Sequence, residues 1–189
     1  MSHMQKIFEG VKVDTLLNEI NENPDLWNRY DLRTRGDDSP HREVDDIWLR
    51  YRDYSEFDQD NPGSFSNKHV SQWYAAASVL ESVRPMIENI FTIVGGDELG
   101  GCLITRIPPG KQVYPHTDAG RWHSEYYLCK YLLLLQSAPG QSFEFGNIRH
   151  EGQAGDLFIF DNRPVHAVIN DSDIDRISLI MAIRKNNGL

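Results

Sequence analysis

From Gly96 onward the sequence is a succession of short apolar stretches, and Gly, Pro, Asn or Asp separates each from the next. The stretches are GGCLITRI, KQVYPH, YYLCKYLLLLQS, QSFEFGNIRH, DLFIFD, HAVIND and DRISLIMAIR. Short strands at such regular spacing are typical of an all-β sandwich or barrel. We therefore predict a β jelly roll for this part of the chain.

The residues before Gly96 have helical rather than strand-like patterns. VDTLLNEINEN places apolar residues at helical spacing, with Asp14 as a possible N-cap and Pro24 at the end. Residues 70–94 are predicted to form a second helical stretch that is broken or kinked around Pro85, and DIWLRY between the two stretches predicts a short strand. The apolar run 132–135 fits a strand covered on both faces, with the helices on one side.

Composition limits the number of domains and the kinds of partner. The 189 residues, 40% of them hydrophobic, suffice for one domain over 1–189, with 1–95 as helical support and substrate-side segment and 96–185 as the jelly-roll core. A net charge of −9 makes nucleic acid an unlikely partner, and no apolar run is long enough to cross a bilayer. Cys102 and Cys129 lack metal-type spacing, so we predict buried thiols in a soluble, cytoplasmic protein. The oligomeric state is left open.

Two imidazoles and a carboxylate could form a metal site. In YPHTDAGRWH, His116 and Asp118 are one residue apart, so they project from the same face of an extended segment. His166 in NRPVHAV is the best candidate for a third ligand. Two histidines and one carboxylate on one side of an ion are typical of non-haem Fe(II) oxygenases. An HxD pair is weak evidence for a metal site by itself, because His123 or His150 could be proposed as ligands as readily.

An arginine lies within a strongly apolar strand. In DRISLIMAIR, alternation places Arg176 on one face together with Ser178, Ile180 and Ala182. A charge in such a strand is costly unless it is paired, and a dicarboxylate could pair it through the planar guanidinium, with a further bond from Ser178. The alternatives are exposure at the rim of the barrel or a buried ion pair with Asp156, Asp173 or Asp175.

These motifs resemble the 2-oxoglutarate/Fe(II)-dependent dioxygenases, and among them the aspartyl/asparaginyl β-hydroxylase-like family. The resemblance covers residues 99–184 and lies in RIPPGKQVYPHTD, GQAGDLFIFDNRPVHAVINDS and DRISLIMAI. It implies a mainly β protein with N-terminal helices and a cupin-like jelly roll, the double-stranded β-helix. It also implies Fe(II) bound by His116, Asp118 and His166, and a 2-oxoglutarate co-substrate whose distal carboxylate is anchored by Arg176.

Further co-substrate contacts follow from the same resemblance. Thr105 falls where the family has a small hydroxyl that touches 2-oxoglutarate. Lys130 lies near the position of the family's basic residue that contacts the other carboxylate of 2-oxoglutarate, and Tyr127 is the alternative for this contact. Near His166, Asp161 or Asn162 could hold the imidazole in one tautomer.

Asp118 is also a departure from the best-known members of the group, which have glycine at this position. Related halogenases need the carboxylate position vacant, so Asp118 favours hydroxylation. The expected enzyme hydroxylates an unactivated C–H bond of a small polar substrate, an amino acid or a peptide side chain, and releases succinate and CO2. The alternative is a cupin-type metalloprotein, an isomerase or a binding module, that does not use 2-oxoglutarate.

Fewer sequence features indicate which residues bind the substrate. Among the arginines of residues 29–52 and those after the HxD pair, we expect Arg50 and Arg121 at the mouth of the site, where a guanidinium would suit a carboxylate or phosphate. The other arginines are expected to pair with nearby aspartates on the surface. Trp48 and Trp122 are predicted to be packing residues, and His123 to be a rim or structural residue.

Overall fold

The structure is a computed structural model that describes residues 3–185. Its helices are α1 (Asp14–Glu22), α2 (Ala76–Val79), α3 (Val83–Ile93) and α4 (Trp122–Tyr126). Its strands are β1 (Met4–Phe8), β2 (Asp45–Tyr51), β3 (Gln72–Trp73), β4 (Glu98–Ile107), β5 (Gln112–His116), β6 (Cys129–Gln136), β7 (Gln141–Phe145), β8 (Ile148–His150), β9 (Leu157–Asp161), β10 (His166–Asn170) and β11 (Arg176–Arg184).

The strands form two antiparallel sheets. The large sheet has the order β1-β9-β6-β11-β4-β2-β3, and the small sheet has the order β5-β10-β7-β8. Strands β1, β2 and β3 precede Gly96, so the N-terminal segment contributes strands to the large sheet as well as helices. The predicted mainly β architecture with N-terminal helices is confirmed, and the two sheets are consistent with a jelly roll.

Two apolar clusters cover the two faces of the large sheet. On the outer face, Leu133 and Leu135 pack in one cluster with residues of α1 and α3. On the inner face, Leu132 and Leu134 pack in a second cluster with residues of the small sheet, among them Phe143. The prediction that the 132–135 run is covered on both faces, with helices on one side, is therefore confirmed.

The helices follow the predicted pattern except at three points. Leu16 and Ile20 of α1 are buried, as their spacing predicts, but Asp14 is the first residue of the helix and not its cap. In the second predicted stretch, Gln72–Trp73 form β3, and helix begins only at Ala76. The stretch does break close to Pro85, but at residues 80–82, and Pro85 itself lies in the first turn of α3, where the N–H that proline lacks would have no helical partner.

An aromatic cluster packs beside β2 and consists of Trp48, Phe65 and Tyr74, with further rings around them. Residues 53–70 contribute to it through two short 3-10 helices, Tyr54–Glu56 and Pro62–Ser66. This segment has no strand or helix pattern in the sequence, but its rings hold it against the sheet. Within residues 3–185, none of the helices combines the length and the apolar character needed to cross a bilayer.

Candidate active site

His116, Asp118 and His166 come together between the two sheets. His116 ends β5 and His166 begins β10, and the two residues are partners in the antiparallel pairing of these strands. Their ring centroids are 4.4 Å apart. One potential ligand atom from each of the three residues lies within 4.8 Å of the others. The set has the spacing and the donor types of a metal site with two imidazoles and one carboxylate.

Backbone carbonyl groups orient both imidazoles. Nδ1 of His116 lies 2.8 Å from the carbonyl oxygen of Tyr114, and Nδ1 of His166 lies 2.9 Å from that of Pro164. A carbonyl oxygen only accepts hydrogen bonds, so each Nδ1 carries the proton and each Nε2 keeps a free lone pair. Both rings are therefore held in the tautomer that leaves Nε2 free to bind a metal ion.

This orientation does not come from Asp161 or Asn162, so that prediction is wrong. Asp161 accepts hydrogen bonds from the guanidinium of Arg163, at 2.7 and 2.8 Å. The side chain of Asn162 is buried and has no hydrogen-bond partner among the described residues, whereas its carbonyl accepts a bond from the backbone N–H of Asp118. The carbonyls that do bind the rings lie two residues before each histidine, which is a local backbone effect.

The charges of the three residues suit a cation. Burial and the neighbouring His166 lower the pKa of His116 to about 4, and burial lowers the pKa of His166 despite the opposing Pro164 carbonyl. Burial acts to raise the pKa of Asp118, but the ammonium group of Lys130 holds it well below its usual range. At neutral pH the site therefore offers two neutral nitrogen donors and one ionised carboxylate.

A cavity of about 720 Å³ extends from these three residues between the sheets. On its wall, the buried Arg176 donates a hydrogen bond from Nη1 to Ser178 Oγ at 3.2 Å. Burial lowers the pKa of Arg176 to about 10, so the guanidinium is still charged at neutral pH. Ile180 and Ala182 line the same wall, as the alternation of β11 predicts.

No carboxylate of the described chain forms an ion pair with Arg176. Of the alternatives, Asp156 contacts Lys6 at 3.2 Å and Asp175 lies 4.0 Å from Arg106, and neither these two nor Asp173 forms an ion pair with Arg176. Exposure at the rim is ruled out as well, because Arg176 is buried. A buried, unpaired guanidinium lowers the free energy of unfolding, so we expect an anionic ligand to pair with Arg176.

Thr105 lines the cavity next to Ser178, because the two residues are register partners in β4 and β11. Its hydroxyl donates a hydrogen bond to Asp46 at 2.8 Å, and Arg33 lies 3.2 Å from the same carboxylate. Burial raises the pKa of Asp46, and the charge of Arg33 opposes this effect. Neither Asp46 nor Arg33 was predicted as a site residue. The one sequence feature that could have indicated Asp46 is its position at the start of the apolar stretch DIWLRY.

Lys130 and Tyr127 occupy different environments. Lys130 lines the cavity, and its ammonium group contacts Oδ2 of Asp118. Tyr127 is buried outside the cavity lining, where its hydroxyl donates to Oε1 of Glu98 at 3.1 Å and its ring covers Gly100. The geometry favours Lys130 over Tyr127 as the second contact to a bound co-substrate.

Arg50 and Arg121 are both among the residues that line the cavity. The guanidinium of Arg50, however, donates to the carbonyl of Leu99 and lies over the ring of Trp73, which is outside the cavity lining. Its register partner Cys102 belongs to the apolar cluster on the outer face. Arg121 is exposed and forms no ion pair within residues 3–185. Trp48 is buried among other rings and also borders the cavity, whereas Trp122 packs on Tyr126 with ring centroids 4.9 Å apart.

Two further histidines border the cavity. Nε2 of His123 accepts a hydrogen bond from the backbone N–H of Gly101 at 3.3 Å, and burial lowers its pKa to about 3. This contact fits the predicted structural role. The ring of His41 packs edge-on against His116, with centroids 4.7 Å apart, and burial lowers its pKa well below the usual value. His41 was not predicted, since nothing in PHREV relates it to the HxD pair.

Comparison with known proteins identifies the family. The sequence model of the aspartyl/asparaginyl β-hydroxylases matches residues 4–186. The chain belongs to this family. The prediction of an enzyme of the 2-oxoglutarate/Fe(II) hydroxylase class is confirmed at that level. No curated protein sequence matches this β-hydroxylase family member significantly.

Solved structures with the same fold include three oxygenases. The viral collagen prolyl hydroxylase of Paramecium bursaria Chlorella virus-1, in its 2-oxoglutarate complex, is 12% identical, with a TM-score of 0.56 over 96% of each chain. The Pseudomonas putida prolyl-4-hydroxylase is 17% identical, with a TM-score of 0.54 over 98% of this chain and 94% of that one. A 2-oxoglutarate/Fe(II) oxygenase-family oxidoreductase from Burkholderia pseudomallei is 14% identical, with a TM-score of 0.55 over 77% and 69%. The family member therefore shares the fold of these oxygenases.

Proposed function

We propose that this family member is a 2-oxoglutarate- and Fe(II)-dependent dioxygenase that hydroxylates an unactivated C–H bond of an amino acid, a peptide side chain or another small molecule. The products of the co-substrate are succinate and CO2. The observation that carries this proposal is the charged Arg176, buried without a carboxylate partner on the wall of the cavity that also contains the three-residue set.

His116, Asp118 and His166 would hold the metal ion. The donor set fits ferrous iron, because two Nε2 lone pairs and one carboxylate oxygen converge while the cavity leaves the opposite side open. Fe(II) would supply the redox chemistry that couples oxidative decarboxylation of 2-oxoglutarate to hydroxylation. The protein fixes the three donors through the backbone carbonyls behind the two rings.

Arg176 would bind the distal carboxylate of 2-oxoglutarate through its planar guanidinium, and Ser178 and Thr105 would add hydroxyl contacts. Lys130 would meet the other carboxylate, because its ammonium group lies beside Asp118 at the metal end of the cavity. Tyr127 is the weaker alternative for this role, since its hydroxyl is engaged by Glu98.

Asp118 favours hydroxylation over halogenation, because its carboxylate occupies the position that a halide would need. The apolar side chains around the three residues support the same reaction by excluding water. Phe143 stacks on His166 with ring centroids 5.4 Å apart, and Leu132 and Phe160 also line the cavity.

The two cysteines are consistent with a cytoplasmic location, which we propose. Both are free thiols, but only Cys102 is buried, and burial raises its pKa to about 12; Cys129 is half-buried, so the prediction of two buried thiols holds for Cys102 alone. Unpaired thiols are typical of proteins in reducing compartments.

The second candidate function is a cupin-type metalloprotein, an isomerase or binding module that does not use 2-oxoglutarate. It would share the three metal donors, but it gives no reason for a buried guanidinium with only Ser178 as a partner. We therefore prefer the dioxygenase.

Anaerobic spectroscopy tests the proposal. Fe(II) and 2-oxoglutarate added to the protein should produce the weak visible charge-transfer band of the chelate. His116→Ala and Arg176→Ala should abolish the band, whereas Arg149→Ala, on the exposed part of β8 beside Glu144, should retain it. Bound iron without a band in the parent protein contradicts the co-substrate assignment and favours the cupin-type alternative.

A further inference from the structure

The cavity lining has a charge opposite in sign to that of the whole chain. The formal net charge of the protein is −9, but only one carboxylate, that of Asp118, is among the residues that line the cavity. Six basic residues line it: Arg33, Arg35, Arg50, Arg121, Lys130 and Arg176. A cavity with such an excess of one sign attracts ligands of the opposite sign.

Most of these basic groups already have a partner or a proposed one. Three are paired with carboxylates: Lys130 with Asp118, Arg33 with Asp46 and Arg35 with Asp31. The proposed function assigns Arg176 to 2-oxoglutarate. Arg50 donates to the Leu99 carbonyl and lies over the ring of Trp73, which is outside the cavity lining. Arg121 is left without a counter-ion in the described chain.

One molecule of 2-oxoglutarate does not serve both ends of the cavity. On β4, Ile107 is the register partner of Arg176, whereas Gly101 lies against Tyr51 and against His123, which is two residues from Arg121. At roughly 3.4 Å per residue, about 20 Å of strand separates Ile107 from Gly101, which is far longer than a short dicarboxylate. The anion that suits Arg121 is therefore a second ligand.

Aromatic side chains form the wall of the cavity beside Arg121. Trp48, Tyr51, Phe57 and Phe65 all line the cavity. The ring centroids are 5.6 Å apart for Trp48 and Tyr51, 5.7 Å for Tyr51 and Phe65, and 5.8 Å for Phe57 and Phe65. Rings that pack on one another in this way form a preorganised apolar surface, which favours flat, apolar ligand groups.

We infer that the substrate is a small anion with a planar ring, whose carboxylate or phosphate binds Arg121 while its ring lies against this aromatic wall. The inference rests on the proposed function, since it takes the Arg176 end of the cavity as the 2-oxoglutarate site. It narrows the predicted small polar substrate to a ring-bearing acid.

Calorimetric titration of the anaerobic protein with Fe(II) and 2-oxoglutarate tests this class. The probes are two matched pairs, indole-3-acetate with indole-3-acetamide and adenosine monophosphate with adenosine, and hexanoate serves as an acid without a ring. In at least one pair the anion should bind about tenfold more tightly than its neutral counterpart, because a charge-assisted hydrogen bond is lost with the charge. The pair that responds distinguishes a carboxylate substrate from a phosphate substrate.

Variants assign the effect to named residues. Arg121→Ala, an exposed position, should reduce the preference for the anion, and Arg149→Ala, which pairs with Glu144 outside the cavity, should not. Phe57→Ala should weaken both members of a pair equally and remove the advantage of ring-bearing acids over hexanoate.

Equal binding of anion and neutral probe, or no binding by either pair, overturns the inference. The charge-transfer band recorded in the same samples separates this result from failure of the proposed function. A band without selective anion binding rejects only the substrate class, whereas loss of the band rejects the dioxygenase assignment itself.

Discussion

Lys130 holds one oxygen of the Asp118 carboxylate and leaves the other towards the histidines. The ammonium group donates a hydrogen bond to Oδ2, while Oδ1 lies 3.8 Å from Nε2 of His116. A buried carboxylate with a single free oxygen beside two imidazoles is preorganised to bind a metal ion through that oxygen.

Lys130→Met should raise the pKa of Asp118 in the metal-free protein. Burial acts to raise this pKa, and the ammonium group is the main opposing charge, so its removal leaves the effect of burial dominant. Titration of the Asp118 carboxyl carbon by NMR measures the change. Lys111→Met, which removes an exposed contact to Glu43, is the control. An unchanged Asp118 titration in the Lys130 variant contradicts the prediction.

Arg176→Met should stabilise the protein in the absence of ligands. The substitution replaces a buried, unpaired guanidinium with an apolar side chain, and we expect a gain in unfolding free energy of at least about 1 kcal/mol. Urea unfolding with and without 2-oxoglutarate measures both consequences. The parent should gain stability from the co-substrate with metal present, and the variant should not. A less stable ligand-free variant would show that Arg176 has a structural partner instead.

Gly101→Ala should disturb the mouth of the cavity. A Cβ atom at this position would lie 2.9 Å from Tyr51 Cδ2 and 3.2 Å from His123 Nε2, so both rings would have to shift. We expect a loss of about 1–3 kcal/mol in unfolding free energy and weaker binding of ring-bearing acids. Gly63→Ala, where a Cβ meets nothing within 4 Å, should have little effect. Matching unfolding curves for the two variants would contradict the steric argument.

The stability of the metal-free protein should fall as the pH decreases below about 6.5. Burial lowers the pKa of His123 to about 3 in the folded state, so the unfolded chain binds its proton first as the pH falls. The contribution of a neutral buried histidine is therefore complete above the unfolded pKa and is lost between that value and the folded pKa. Each such histidine contributes a slope of up to about 1.4 kcal/mol per pH unit.

His123→Gln should flatten this dependence, because glutamine can still accept the hydrogen bond from Gly101 N–H but does not titrate. Denaturant unfolding of both proteins between pH 4 and pH 7, about the window in which the histidine contribution changes, measures the two slopes. Identical slopes would show that protonation of His123 does not contribute to acid unfolding.

Several site features depend on alternation along a single strand, and these could be predicted. His116 and Asp118 project from one side of the end of β5, and Arg176 shares its face of β11 with Ser178, because side chains repeat every second residue in extended chain. The 132–135 run shows the same period, with its residues alternating between the two apolar clusters.

Other features escaped prediction because they depend on backbone atoms or on distant packing. The groups that orient His116 and His166 are carbonyls, which every residue has, so no side chain indicated them. His41, in the loop before β2, packs against His116, and Asp46 of β2 accepts a hydrogen bond from Thr105 of the neighbouring strand β4. No spacing in the sequence encodes these contacts.

The sequence by itself determined the strand-rich half of the chain, the three candidate metal donors and Arg176 as the residue expected to bind a carboxylate. These features follow from local alternation and from the chemistry of single residue types. Only the tertiary structure decided that β5 and β10 pair with His116 opposite His166, that Lys130 holds Asp118, and that residues 53–70 close the cavity with aromatic rings. The physical reason is that strand pairing and loop packing depend on non-local burial of apolar side chains, which many sequences share and which no short motif specifies.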